Sequence, residues 1–200
     1  MPLHRSDSSG DTNLFTTYLS DTSPDWAAKY GAGNTVAWAA VPSAQAESGN
    51  SGMLTASDQV QYSIAYIGVS YQAQATTDNL GSGALQNLAG SFVALTSTTV
   101  SAAVNAQYAA TPPNEKISMI YGPGANSYPI VNFEYVLVQQ TQATTALAQD
   151  IQAILWYATL PQYGQQAYFL NSPATGSLGF LPLPTSIAQL TWAQINSITG

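Results

Sequence analysis

The stretch RSDSSGDTNLFTTYLS, residues 5–20, decides how this chain begins to fold. A short apolar piece at residues 2–4 precedes it. The apolar residues inside the stretch recur at helical spacing: Leu14, Phe15, Tyr18 and Leu19. Ser8 or Ser9 is suited to cap a helix, because a serine oxygen accepts a hydrogen bond from the first helical turn. The sequence therefore predicts a strand end, a tight turn and a helix.

The turn has the chemistry of an anion site. A helix that begins after Ser-Gly presents unpaired N–H groups, and both these groups and the helix dipole favour an anion. Gly10 allows close approach to the backbone, and the Ser9 hydroxyl adds a donor. Arg5 can grip two oxygens of a tetrahedral oxyanion with its planar fork, and Asp7 could hold that fork in place.

Asp11 would repel a bare anion but would accept a hydrogen bond from one that carries a proton. Hydrogen phosphate carries such a proton and sulfate at neutral pH does not. An unpaired buried acceptor costs roughly 1–3 kcal/mol, so Asp11 would select phosphate over sulfate. From spacing alone, a second interpretation is equally open: Ser9 only caps the helix and Asp11 only complements its dipole.

The rest of the chain alternates between strand and helix patterns, which is typical of an α/β fold. Residues 63–71 are predicted to form a buried strand that runs into a helix. The other predicted strands are a pair within residues 84–95 and, with the strongest pattern, residues 128–139. The predicted helices are residues 24–30, 52–59, 98–109, 142–159, 162–170 and 185–197. The strongest of them, residues 142–159, carries an apolar stripe of Leu147, Ile151, Ile154, Leu155 and Ala158. The Gly/Pro-rich residues 122–129 are the best candidate for a hinge or lobe boundary.

Composition excludes several classes of function. Hydrophobic residues make up 46% of the 200 residues, whereas charged residues make up only 6% and the net charge is −7. The cationic side chains are Arg5, Lys29 and Lys116, too few and too scattered for nucleic-acid binding. There is no cysteine and only one histidine, His4, so we expect no metal site and no cofactor. No nucleophile is paired with a positioned base, so we do not expect an enzyme, and a phosphoester hydrolase in particular is disfavoured.

Several segments together resemble the high-affinity phosphate-binding proteins, the solute receptors of phosphate ABC transporters. RSDSSGDT followed by LFTTYLS resembles their phosphate-contacting segment, and the other matching segments are GAGNTVAW with SGNSGM, SIAYIGVSY, ALQNLAGSFV, YPIVNFEYVLV and FLPLP. The resemblance spans essentially the whole chain.

The resemblance implies a periplasmic-binding-protein type II fold with two α/β lobes. Residues 1–127 would form a second-lobe portion that carries the phosphate turn, and residues 128–200 would return to the first lobe. Arg5, Ser9, Gly10 and Asp11 would contact phosphate, and Asp7 would orient Arg5. Ser8 would support the turn, although it replaces the glycine that is usual in the family. The implied setting is extracellular, cell-surface or periplasmic, and the implied partners are an ABC permease and its ATPase.

Family members carry a long part before the phosphate turn, and here the turn begins at residue 5. We therefore expect an architecture that is incomplete at its N-terminus, with another chain as one possible source of the rest. Two functions remain open at this point. One is a phosphate receptor, and the other is a truncated, non-binding homologue that serves as a surface or secreted interaction domain.

Overall fold

A computed structural model describes residues 1–38, 43–166, 170 and 179–200. The first strand, β1 (Leu3–Arg5), runs parallel to β2 (Gln45–Glu47). On its other side the Leu3 N–H donates to the Ile64 carbonyl oxygen at 2.9 Å, beside an isolated parallel bridge between Pro2 and Ile64. β1 is therefore held from both sides, immediately before the turn.

The two helices that follow begin as the sequence predicts. Helix α1 (Gly10–Thr22) has Ser9 as its N-cap, and helix α2 (Pro24–Lys29) has Ser23. Each serine oxygen accepts a hydrogen bond from a backbone N–H group of the first turn. The strand end, turn and helix expected at the start of the chain are confirmed.

Helix α3 (Gly49–Gln59) confirms the helix predicted over residues 52–59 and begins three residues earlier. It lies against β1 and buries Met53 fully, in a cluster with Leu3 and Ala56. This apolar cluster anchors Leu3, the first residue of β1, against α3.

The strand predicted to run into a helix over residues 63–71 is confirmed only in its helical part. Only Ile64 makes a bridge, whereas residues 69–71 form a single turn of 3₁₀ helix that leads into α4 (Gln72–Thr77). At Gly68, between the two, the backbone N–H donates to the Asn50 side chain at 3.1 Å and not to a neighbouring strand.

Residues 84–109 form the strand pair and the helix that the sequence predicts. The predicted pair of short strands is present as β3 (Leu85–Gln86) and β4 (Phe92–Val93), which are antiparallel. Helix α5 (Ser97–Gln107) begins with a capping box and confirms the helix predicted over residues 98–109. It buries Ala103 in a second cluster with Met119 and Val131.

The strand predicted over residues 128–139 is wrong. Val131 is buried, but from residue 134 onward the segment is exposed, and Leu137 has 95% of its surface open to solvent. A strand needs a neighbouring backbone for its hydrogen bonds. Among the described residues, no segment forms a β-ladder with residues 128–139, so these residues do not form a strand.

The last two helices pack against each other. Helix α6 (Thr145–Thr159) and helix α7 (Thr185–Asn196) confirm two predictions, and Trp156 stacks on Trp192 between them at 5.7 Å. The predicted apolar stripe of α6 is not buried as a whole, because Leu147 and Ile154 are 42% and 68% exposed.

Two further predictions are not confirmed by the described residues, namely the helix over residues 162–170 and the hinge at residues 122–129. Most of the region predicted as a helix over residues 162–170 either forms turns, at residues 161–165, or lies outside the described residues, at 167–169. The assignment of residues 122–129 as a hinge stays a prediction. Separately, none of the helices in the described ranges has the length and hydropathy needed to cross a bilayer.

Candidate functional site

Arg5 ends β1 and points its guanidinium group across the mouth of the turn. Its Nε donates to Asp7 Oδ1 at 2.7 Å, and its Nη2 donates to Asp7 Oδ2. This two-point ion pair fixes the plane of the fork, as expected of an arginine–carboxylate pair. The hydrogen bond from Arg5, followed by one from the Gly49 N–H, holds the pKa of Asp7 well below its ordinary range. The same pairing with Asp7 raises the pKa of Arg5.

The start of α1 supplies backbone donors next to this fork. Ser9 is buried, and its Oγ accepts the Asp11 N–H at 3.1 Å, while its hydroxyl proton remains able to donate. Within the described residues, the N–H groups of Gly10 and Thr12 have no acceptor. A Cβ built on Gly10 would meet no atom within 4 Å, so packing does not require a glycine there. The missing side chain leaves space through which a ligand can reach the backbone.

Asp11 offers one oxygen to the protein and keeps the other available. Its Oδ2 accepts from Asn50 Nδ2 at 2.8 Å and from Arg5 Nη1 at 3.3 Å. Its Oδ1 receives no hydrogen bond from the part of the chain that the structure describes. An ionised carboxylate with a free oxygen can accept a proton-bearing ligand atom.

Asn50, at the start of α3, is a member of this network that the sequence did not single out. Its Oδ1 accepts from the Gly68 N–H at 3.1 Å and from Arg5 Nη1 at 3.3 Å. Its segment, SGNSGM, resembles a family motif, but no local pattern in the sequence predicts that the amide reaches residues 5–11.

Tyr66 fixes the spacing between β1 and α1. Its hydroxyl accepts the Arg5 backbone N–H at 3.0 Å and lies 2.8 Å from Thr12 Oγ1. Its ring stacks on Phe15 at 4.7 Å and on Trp38 at 5.9 Å. Since Thr12 is only 1% exposed, this bond bridges the strand and the helix inside the molecule.

His4 and Ser8 lie at the edges of the site. The His4 ring stacks on Trp38 at 4.9 Å, and its Nδ1 lies 3.2 Å from the Arg5 carbonyl oxygen. Ser8 is exposed, one residue before the cap. No group of three or more His, Cys, Asp or Glu side chains in the described ranges is arranged to hold a metal ion.

Together these groups place hydrogen-bond donors and one open carboxylate oxygen close to each other. Four of the five N–H groups of Arg5 are engaged, and the second N–H of Nη2 has no acceptor among the described residues. Two carboxylates, Asp7 and Asp11, face this single guanidinium group. A ligand that only accepts hydrogen bonds would be opposed by Asp11, whereas one that also donates would pair with it.

Comparison with known proteins shows the family of the chain. The family described as PBP superfamily domain matches residues 2–153. A protein named "Phosphate-binding protein PstS" from Methanocaldococcus jannaschii is 35% identical in an alignment 209 residues long, which covers 98% of this chain and 51% of that protein. Proteins of the same name from Pasteurella multocida and Haemophilus influenzae are 28% and 27% identical, over 96% of this chain in each case. The chain spans about half the length of these curated relatives.

Proposed function

Because the chain belongs to the PBP superfamily domain family, we propose that it binds inorganic phosphate as the solute receptor of a phosphate ABC importer. The observation that carries the proposal is the arrangement of Arg5, held flat by Asp7, at the N-terminus of α1. Relatives named as phosphate-binding proteins support the choice of ligand.

The proposed contacts come from four residues of the turn. Arg5 donates its remaining Nη2 proton and shares those of Nη1, and Ser9 donates its hydroxyl. The backbone N–H of Gly10 supplies a further donor, which the exposed position of this residue supports. Asp11 accepts the phosphate proton with Oδ1. Asp7 and Ser8 support the turn without contacting the ligand.

Asp11 is the basis of the proposed selectivity. Sulfate and hydrogen phosphate have the same shape, but only hydrogen phosphate can donate to a carboxylate. A buried acceptor that a bound ligand leaves unpaired costs roughly 1–3 kcal/mol, which corresponds to about 5- to 150-fold in affinity. We expect discrimination of this order against sulfate.

The remaining parts of the proposal rest on the family. The protein would release phosphate to a permease driven by an ATPase, would act in an extracellular, cell-surface or periplasmic setting, and would not be an enzyme. Residues 1–127 would belong to the second lobe and residues 128–200 to the first, in a two-lobe architecture of which the chain supplies part.

The test is isothermal titration of the 200-residue chain with phosphate and, separately, with sulfate. We expect phosphate to bind more tightly, and we expect Gly10→Ala to weaken phosphate binding at least about tenfold by blocking the backbone. The thermal midpoint of Gly10→Ala should stay unchanged, because a Cβ there meets nothing in the protein. Gly81→Ala is the matched control, since a Cβ at that loop glycine also meets no atom within 4 Å.

One observation favours a second function. Val136, Leu137 and Val138 form an exposed apolar run in an extended segment, and such a run is typical of a surface that contacts another protein. A folded chain that binds neither anion would overturn the receptor proposal. The protein would then be a non-binding homologue that acts as an interaction domain.

A further inference from the structure

We propose that Asn50 is the positioning residue that sets the selectivity of this site, because it holds Asp11 as a hydrogen-bond acceptor. The inference rests on the proposed phosphate function and adds a residue from a different segment of the chain. Asn50 is the second residue of α3 and need not touch the ligand to act.

The orientation of the Asn50 amide is determined by its neighbours. The Gly68 backbone N–H can only donate, and it lies 3.1 Å from Oδ1. Arg5 Nη1 can also only donate, and it lies 3.3 Å from the same oxygen. The carbonyl side of the amide must therefore face these two donors. The amide nitrogen is left facing Asp11, 2.8 Å from Oδ2.

This orientation determines which oxygen of Asp11 is left for a ligand. Oδ2 accepts from Asn50 Nδ2 at 2.8 Å and from Arg5 Nη1 at 3.3 Å. The two bonds hold the carboxylate in one orientation, with Oδ1 directed away from these donors. A ligand atom that pairs with a carboxylate oxygen must donate to it.

Gly68 provides the space that this contact needs. A Cβ built on Gly68 would lie 2.6 Å from Asn50 Nδ2 and 3.2 Å from Asp11 Oδ2. Gly68 has an ordinary, negative φ (−58°), so an alanine fits its backbone, and its Cβ would crowd both the Asn50 amide and the Asp11 carboxylate. Gly68→Ala therefore disturbs the contact between Asn50 and Asp11 without changing either side chain.

The experiment compares phosphate and sulfate affinities of the 200-residue chain and its variants by titration. We expect the phosphate preference to fall about tenfold in Asn50→Ala, because Asp11 loses the 2.8 Å bond that holds it in place and can turn away from the ligand. We expect Gly68→Ala to lose preference in the same direction. Gly52→Ala is the control, because Gly52 lies on α3 with Asn50 and a Cβ there would lie at ordinary contact distances of 3.6–3.8 Å from its neighbours.

A pH profile separates positioning from simple damage. Asn50→Asp keeps the shape of the side chain but places a second carboxylate oxygen against Asp11, and two adjacent carboxylates resist joint ionisation. Relative to Asn105→Asp, which adds the same charge at an exposed site on α5, its phosphate affinity should fall as pH rises from about 5 to about 8.

The outcomes distinguish this inference from the function on which it rests. If the wild type prefers phosphate and the preference is unchanged in folded Asn50→Ala and Gly68→Ala, the inference is overturned and the receptor proposal stands. A parallel pH profile of Asn50→Asp and Asn105→Asp would overturn it as well. If the folded wild type has no preference for phosphate, both proposals fail together.

Discussion

Two buried clusters in the described part of the chain are each built around a methionine with no exposed surface. Met53 packs with Ala56 and with Leu3, the first residue of β1. Met119 packs with Ala103 and Val131, beneath α5. The two clusters are similar in composition, but only the first has Tyr66 at its edge, and Tyr66 bonds to Arg5. Although the two methionines are equally buried, we therefore expect only the loss of Met53 packing to affect the candidate site.

The largest expected effect comes from truncating the two methionines. Met53→Ala and Met119→Ala should each lower the free energy of unfolding by about 2–5 kcal/mol, because each removes a fully buried side chain and leaves a cavity. Only Met53→Ala should also weaken phosphate binding, since the cavity lies under β1. Denaturant unfolding and titration of both variants would measure the two effects.

Met53→Leu serves as the control for this pair, because a swap that roughly conserves volume costs less than about 1.5 kcal/mol. Equal losses of phosphate affinity in Met53→Ala and Met119→Ala would contradict the comparison. The clusters would then act on the site only through global stability.

The next effect is smaller and compares the two serine caps. Ser9→Ala and Ser23→Ala should each cost about 1 kcal/mol in the free energy of unfolding, because each removes the acceptor of one backbone N–H at a helix start. Phosphate affinity should fall only in Ser9→Ala, because the proposed function has this hydroxyl donate to the ligand. A Ser9→Ala variant that loses stability but no affinity would favour the interpretation of Ser9 as a cap alone.

These caps illustrate which parts of the fold could be predicted from the sequence. Ser9, Ser23 and the capping residue Thr96 act on N–H groups two or three positions away, so their signals are local and the predicted helices are confirmed. Asp7 is equally local, because it lies two residues from Arg5. A pattern that depends only on near neighbours can be interpreted from one segment.

The failures concern contacts between distant segments. Asn50 donates to Asp11, 39 residues away in the sequence, and the motif SGNSGM does not predict this contact. The strand pattern of residues 128–139 is locally strong, but a strand also needs a backbone partner, and the described residues provide none. Periodicity reports what a segment is suited to form and carries no information about what lies beside it.

The ion pair at the turn predicts a specific pH dependence. The pKa of Asp7 in the folded chain lies below its ordinary value of 3.8, so its pairing stabilises the fold fully above that value and is lost as the pH falls through the folded pKa. Wild type should therefore be more stable than Asp7→Asn near neutral pH, and the difference should shrink below about pH 4. Urea unfolding of both proteins from pH 7 to pH 2 would measure it. A difference that stays constant to pH 2 would show that the ionised form of Asp7 is not what stabilises the turn.

The smallest effect is expected at the exposed end of residues 128–139, and its value lies in the contrast with the buried end. Leu137 is 95% exposed and Val131 is 7% exposed, within one continuous apolar pattern. Leu137→Ala should change the free energy of unfolding by less than about 0.5 kcal/mol, whereas Val131→Ala should cost more than about 1 kcal/mol, because only Val131 packs in a core. Matched chemical unfolding of the two variants would measure the difference. Equal costs would mean that Leu137 is packed in solution, and the strand that the sequence predicts would then have found its partner.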